Sequence, residues 1–247
     1  GSAMRLLVDA GNSRLKWRLD EGGLVVEQGV GRLDDADLVP GLNAKPADIT
    51  AVAVSTVAAE NRRLALQTYL EHRTAAPVRF YWAEPERGDL VNAYNDYPKM
   101  GADRWHAMYG AWAHFRQGVA VVDAGSAVTV DYVDSSGQHL GGFILPGLQM
   151  MLRSLKNDAA RIGFDPDQVL ETSPGQSTGE CVNHGLAWLS AAMVERVQSD
   201  VKKFGLEHVL VTGGDADRLL GLGLLAEFRP QLVLDGLALI DSEDQAQ

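Results

Sequence analysis

Asp9-Ala10-Gly11-Asn12-Ser13 and Asp123-Ala124-Gly125-Ser126-Ala127 are two versions of one device. Each is an apolar run ending in Asp, then a Gly-bearing turn with a small hydroxyl residue, then an alternating stretch. The lead-in runs are Arg5-Leu6-Leu7-Val8 and Val119-Ala120-Val121-Val122, and the alternating stretches extend from Arg14 to Leu19 and from Val128 to Val133. Such runs read as strands, so the chain has to house one strand–turn–strand unit twice. The chemistry of the device narrows matters further. A Gly lets backbone N–H groups approach an anion closely, the hydroxyl can donate to a phosphate oxygen, and the Asp can hold a cation or its water shell. Two such turns facing each other would grip a polyphosphate from both sides. A single Asp-x-Gly-x-Ser turn is most often an ordinary tight hairpin. What points to a site is the repetition, followed by Val209-Leu210-Val211-Thr212-Gly213-Gly214-Asp215-Ala216, another strand entering a Gly pair.

At 247 residues the chain is long enough for two modest domains or one large one, and duplication favours two. A hydrophobic content of 46% supports a real core, while no apolar run approaches the roughly 18 residues that cross a bilayer. The net charge of −11 argues against nonspecific binding to nucleic acid or anionic membranes, which need a basic surface. Any phosphate must therefore be held by local groups. Gly1-Ser2-Ala3 before Met4 reads as an expression scar leading straight into a core strand, with no signal peptide. The single cysteine, Cys181, cannot form an internal disulfide, which suits a reducing cytoplasm. Its helical setting predicts a small buried apolar residue rather than a nucleophile. The six histidines are scattered without His-Glu-x-x-His spacing, so no zinc site is expected.

Residues 5–9, 14–20 and 24–30 alternate apolar and polar with Gly-containing breaks, which predicts a three-stranded antiparallel meander. Leu15, Trp17 and Leu19 then face a core, while Arg14, Lys16 and Arg18 face the other way into solvent, Lys16 within reach of a phosphate on the first turn. Asp34, Asp35 and Asp37 read as a loop that aids solubility. Ala51 to Val54 and Val78 to Trp82 predict buried strands separated by a helix from Asn61 to His72, an alternation that implies parallel pairing. Gly101 to Phe115 is a predicted helix with Trp105, Met108, Tyr109 and Trp112 as its core stripe. The domain boundary is expected at Gln117-Gly118, giving domains 4–117 and 118–247. In the second, Pro146-Gly147 opens a helix to about Ile162, a polar loop runs through Gly175, and a helix extends from about Thr178 to Phe204. Asp241 to Gln247 reads as a disordered tail.

Between the two phosphate turns lie Asn92-Ala93-Tyr94 and Lys99-Met100-Gly101-Ala102-Asp103-Arg104-Trp105. Asp103 and Arg104 fall in a first helical turn, where the helix dipole alone favours a carboxylate. In a protein that holds ATP phosphates, the same pair supplies a base for an acceptor hydroxyl and a guanidinium for a carboxylate or phosphate. Gly141, Gly142, Pro146 and Gly147 read either as turn punctuation or as cleft lining. His106 and His184 read as hydrogen-bonded structural residues, since neither has the partners of a triad.

The motifs Asp9-x-Gly11-Asn12-Ser13-x-x-Lys16, Gly101-x-Asp103-Arg104, Asp123-x-Gly125-Ser126-Ala127-x-Thr129, Gly141-Gly142-x-Ile144-x-Pro146-Gly147, Ser177-Thr178 and Thr212-Gly213-Gly214 occur in one order. In that order the chain resembles the type III pantothenate kinases, the Bvg accessory factor-like branch of the actin, sugar kinase and heat-shock ATPase superfamily. The resemblance implies an α/β fold of duplicated ribonuclease H-like (actin-like ATPase) domains, each a mixed sheet flanked by helices. It also implies ATP-dependent phosphorylation of pantothenate in a homodimer whose acceptor site lies at the subunit interface. Carried onto this chain, Asp9, Ala10, Gly11, Asn12, Ser13, Arg14, Leu15 and Lys16 would hold the ATP phosphates and Mg²⁺, and Ser126 would contact ATP. Gly101, Ala102, Asp103 and Arg104 would bind pantothenate, with Asp103 the proton acceptor, and Tyr94 and Thr178 would touch it. Asp123 would ligate a monovalent cation, K⁺ or NH₄⁺. Ser126 stands where the family more often has Thr, and the hydroxyl is kept. Two other readings stay open on the residues alone: a kinase for another small hydroxylated acceptor, and a nucleotide-binding regulator, for which an acceptor base would be superfluous.

Overall fold

The structure is a computed structural model that describes residues 3–158 and 170–247. Its first sheet is ordered β3-β2-β1-β4-β5, with β1 Met4–Ala10, β2 Arg14–Glu21, β3 Leu24–Arg32, β4 Ile49–Thr56 and β5 Val78–Phe80. The meander β1–β3 is antiparallel, and β1, β4 and β5 are parallel. The second sheet repeats that order with His139–Pro146, Ala127–Val133, Val119–Ala124, His208–Thr212 and Glu227–Phe228. The duplication read from two short motifs thus extends to the order of all five strands in each of these sheets.

Each sheet has a core built from its alternation. In the first, Leu15, Trp17 and Leu19 of β2 join Leu6, Val8, Val52 and Val54, with Leu66 and Leu70 of α1 (Glu60–Arg73) against them. In the second, Val122, Val128, Val130 and Val211 pack with Val194 and Val197 of α4 (Thr178–Lys203). That helix begins with a side-chain cap, Ser177 Oγ accepting from the Glu180 N–H at 3.2 Å. Between them in sequence come α2 (Ala102–Phe115) and α3 (Leu148–Asp158); α5 (Ala216–Gly221) and α6 (Leu232–Gln245) close the chain.

Two compact units emerge, and neither is one stretch of chain. The first takes the residues up to Arg87 with 94–110 and 231–247, and the second takes 88–93 with 111–230. The chain end therefore belongs with the first sheet, where Leu234 and Leu237 of α6 pack on Leu7 and Ala53. Two glycines permit the close crossing of α6 over α2. A Cβ on Gly236 would lie 1.8 Å from the His106 carbonyl oxygen, and one on Gly110 would lie 3.1 Å from that of Leu232.

This packing overturns several expectations. The Arg18 face is not solvated. Arg18 is 4% exposed, its Nε 2.9 Å from Asp20 Oδ1 and its Nη1 2.6 Å from Asp235 Oδ1 of α6, because α6 covers the sheet face that alternation alone leaves open. Nor is Asp241 to Gln247 a disordered tail. Residues as far as Gln245 are helical, and the buried Asp241 accepts from Arg5, Arg79 and the Tyr81 hydroxyl. Asp37 accepts from Tyr69 and from the Val39 N–H, and so ties down its loop as well as adding charge. Cys181 is exposed rather than buried, its thiol 3.4 Å from the Gly175 carbonyl. The helix expected to reach Ile162 is seen to Asp158, and position 162 lies outside the described residues.

Candidate active site

In the first unit, the turn joining β1 to β2 is closed by the glycine itself, the Gly11 N–H donating to the Arg14 carbonyl at 2.8 Å. Gly11 thus spends its own donor on the turn, and contact with an anion falls to the exposed Asn12 and Ser13. The turn is tethered from behind. The Val57 N–H and the Thr56 hydroxyl both donate to the Ala10 carbonyl at 3.0 Å, and Asn12 Oδ1 accepts from the Ala59 N–H at 3.2 Å, where α1 begins. Asp9 is half-buried, with Lys16 as its cross-strand partner on β2 and Ser55 on β4. Neighbours in register share a sheet face, so Asp9, Lys16 and Ser55 lie on the face that Leu7 and Ala53 bury against α6.

The helix α2 brings the Gly101–Arg104 motif to this turn. The Cβ position of Gly101 lies 3.5 Å from Val57 Cγ1, the residue whose N–H holds the Ala10 carbonyl. Asp103 is half-buried, and its Oδ1 accepts from the Arg104 N–H at 2.9 Å. Arg104 is buried. Its Nη1 donates to the Tyr94 hydroxyl at 2.8 Å and its guanidinium lies 5.5 Å from the Tyr94 ring centre. One turn further along α2, the buried His106 places Nδ1 2.6 Å from Ser55 Oγ. Burial, with the Arg87 guanidinium as a lesser cause, pushes its pKa down to about 3, so the imidazole is neutral at physiological pH. Residues 9–16, 94 and 101–104 are thereby assembled in one unit.

In the second unit, the homologous turn is closed by the Gly125 N–H donating to Ala127 at 3.0 Å, and the Gly147 N–H donates to the Ser126 carbonyl at 3.1 Å. Ser126 is exposed. Behind this turn, Gly213 has φ +97°, and a Cβ there would lie 2.5 Å from the Ala124 carbonyl oxygen and 2.7 Å from Asp123 Oδ1. Only glycine tolerates both constraints. The missing side chain lets the strand-end Gly213 pack directly against the Ala124 carbonyl and the Asp123 carboxylate, and the same carbonyl accepts from the Asp215 N–H at 2.9 Å. The adjoining turn is locked by Arg218, whose Nε binds Asp215 Oδ2 at 2.8 Å and whose Nη1 binds Ser190 Oγ at 2.9 Å.

Thr178 stands apart from the Asp123 turn's hydrogen bonds. It is exposed at the first position of α4 and helps line an open cavity of about 760 Å³ with Leu155, Gln176, Cys181 and Leu186. Sequence reasoning missed the supports rather than the motifs. Arg218 is one, and Ser55, the partner of a His106 already read as hydrogen-bonded, is a second. A third is the buried pair His139 and Asp131, 2.8 Å apart, in which His139 Nδ1 accepts from the Ala93 N–H at 3.2 Å and so fixes the segment containing Asn92. Strand alternation signals both as buried polar residues, but their partners are distant in sequence. His184 makes the structural bond expected of it, to the Ser173 carbonyl at 2.8 Å.

Comparison with known proteins accords with these features. A family model described as type III pantothenate kinase matches residues 5–200. A type III pantothenate kinase of Marinobacter nauticus is 56% identical over 239 residues, 97% of this chain and 98% of that one. Among solved structures, a Baf family protein from Campylobacter jejuni superposes with a TM-score of 0.64 at 22% identity, covering 98% of this chain and 100% of that one. MreB 5 of Spiroplasma citri, bound to AMPPNP, gives a TM-score of 0.50 at 10% identity, covering 100% and 98%. The fold is that of the actin-like ATPases and sugar kinases, and the chain belongs to the type III pantothenate kinase family.

Proposed function

We propose that the protein transfers the terminal phosphoryl group of ATP to the terminal hydroxyl of pantothenate, the first step of coenzyme A synthesis. The observation that carries this reading is the Asp103 carboxylate at the head of α2, on a motif packed against the segment that tethers the Asp9–Lys16 turn. A protein that only senses nucleotide needs the turn and not the base. In the proposed reaction the hydroxyl oxygen attacks the γ-phosphorus, the bond to the ADP oxygen breaks, and Asp103 takes the hydroxyl proton. Phosphoryl transfer proceeds through a loose transition state, so positioning and charge neutralisation supply most of the catalysis. An ordinary carboxylate suffices as late proton acceptor.

Asn12, Ser13 and Lys16 would hold the nucleotide's phosphates, and Asp9 would hold Mg²⁺ through water; the half-buried carboxylate beside a lysine suits that set. Mg²⁺ held there would supply positive charge to offset the negative charge of the phosphates. Arg104 is held by Tyr94 so that its charge can meet the carboxylate of pantothenate. Ser126 would contact ATP, while the Asp123 carboxylate would hold K⁺ or NH₄⁺. Thr178 would serve the acceptor of a second copy in a homodimer, and the cytoplasm is where such an enzyme would act. Among the described residues no helix is long and apolar enough to cross a membrane.

A coupled ADP-release assay with and without pantothenate, first in potassium and then in sodium buffer, tests this. ADP release should depend on pantothenate and be faster in potassium. Release driven instead by a sugar or acetate would replace the acceptor, and release indifferent to any acceptor would overturn the kinase reading.

A further inference from the structure

We propose that His106 is a positioning residue for phosphoryl transfer, fixing the Asp103 carboxylate against the strand pair that carries Asp9 through its bond to Ser55. The proposal rests on the kinase reading. Three placements on α2, β1 and β4 carry it. Asp103 and His106 are three residues apart on α2 and share one face of that helix. Ser55 is the register partner of Asp9 across the parallel β1–β4 pair, so both point to the same side of the sheet. The bond between His106 Nδ1 and Ser55 Oγ, at 2.6 Å, is therefore a side-chain tie from the helix of the proton acceptor to the strand beside the phosphate turn.

The chemistry of the tie suits a fixed strut. Both residues are 0% exposed, so water does not compete for the bond. His106 Nε2 is buried with no hydrogen-bond partner. The bond forms in either tautomer, with Nδ1–H donating to Ser55 Oγ or Nδ1 accepting from its hydroxyl. With the imidazole neutral at working pH, the bond does not switch. The helix is also pressed down at this point, since the His106 carbonyl occupies the space of the absent Gly236 side chain. Without the side-chain tie, α2 would keep its packing yet lose its setting along β4, and the acceptor base would move relative to the phosphorus. A shift of about 1 Å in a reacting group can cost on the order of 10²-fold in rate while ground-state binding survives.

The test measures kcat and KM for His106→Leu, His106→Asn and the pair His106→Leu with Ser55→Ala, each alone and combined with Asp103→Asn. His106→Leu should lower kcat about 10- to 100-fold with KM for ATP and pantothenate within about threefold. His106→Asn, whose amide can still donate to Ser55, should recover most of that loss. In the Asp103→Asn background the His106→Leu change should cost nothing further, because the base it positions is gone. The Leu–Ala pair leaves no unpaired polar group, so it keeps the question open to experiment even where His106→Leu alone fails to fold. Normal kcat in His106→Leu or in the Leu–Ala pair, or an equal loss in both Asp103 backgrounds, overturns the proposal. Absence of pantothenate-dependent turnover in the unaltered protein removes the kinase reading itself, and the proposal falls with it. Activity in the unaltered protein with normal kcat in the variants removes only the role of His106.

Discussion

At the scale of single residues, the chemistry of Asp103 and His106 gives the sharpest expectations. Asp103→Asn keeps an oxygen that can accept from the Arg104 N–H, as Asp103 Oδ1 does at 2.9 Å, so the helix start should be preserved. Turnover should fall by about 10²–10⁴, the usual contribution of a positioned general base. Near-normal turnover in the purified variant would remove Asp103 from that role. His106 predicts a pH effect on stability with a definite sign. Its pKa is lowered to about 3 by burial, against an ordinary value near 6.5 in the unfolded chain, so between these limits the unfolded state binds the extra proton. The stabilisation is complete above about pH 6.5 and is lost as pH falls toward 3, at ~1.4 kcal/mol per pH unit in the steep region. Urea titrations from pH 7 to pH 4.5 should show this slope, and His106→Asn should flatten it. An equal slope in both proteins would contradict the assignment. The turns that carry the motifs were legible because a glycine turn between two strands leaves a short local pattern. The burial of Arg18 was not, because its covering carboxylate, Asp235, comes from the far end of the chain.

At the scale of elements, the strand plan could be read from period-two alternation, and the β1–β3 meander is found where it was expected. The last helix was misread. Asp241-Ser242-Glu243-Asp244-Gln245 is polar enough to pass for a tail, and the residues that bury Asp241 lie on the first sheet. The crossing of α2 and α6 is correspondingly intolerant of change. Gly236→Ala would press a Cβ to 1.8 Å from a backbone oxygen that cannot rotate away, so a loss on the order of 3 kcal/mol is expected. Gly185→Ala in α4 provides the contrast. Its Cβ meets nothing within 4 Å, and removing a helical glycine should stabilise by roughly 0.5–1 kcal/mol. Denaturant midpoints that failed to move in opposite directions would refute this account of the crossing. Gly213→Ala addresses the Asp123 turn. At φ +97° and against two oxygens, the substitution should abolish the response to potassium before it abolishes binding of nucleotide. A variant that still distinguishes K⁺ from Na⁺ would move the cation elsewhere.

At the scale of the whole molecule, the sequence indicated two halves, and each sheet does repeat the same strand order. The packing is less simple than a cut at Gln117-Gly118, because the chain returns at residue 231 to finish the first unit, a crossing that local patterns do not announce. The acidic balance of −11 also limits how an anionic substrate can be held, and points to local cations such as Lys16 and Arg104 rather than to a general field. Assembly is the remaining question at this scale. On α4, Trp188 is 62% and Leu189 is 51% exposed, while Leu186 and Val197 of the same helix are buried in the second unit. The helix is thus core on one side and bare on the other, and two adjacent large apolar residues in water are a fitting contact for a second copy. If Thr178 serves the acceptor site of a partner, inactive Asp103→Asn chains mixed with inactive Thr178→Val chains should regain activity, since a mixed dimer holds one intact site. Subunit exchange has to be followed independently, for example by fluorescence transfer between labelled copies. Exchange without recovered activity, or sedimentation as a monomer at assay concentration, would show that each chain completes its own site.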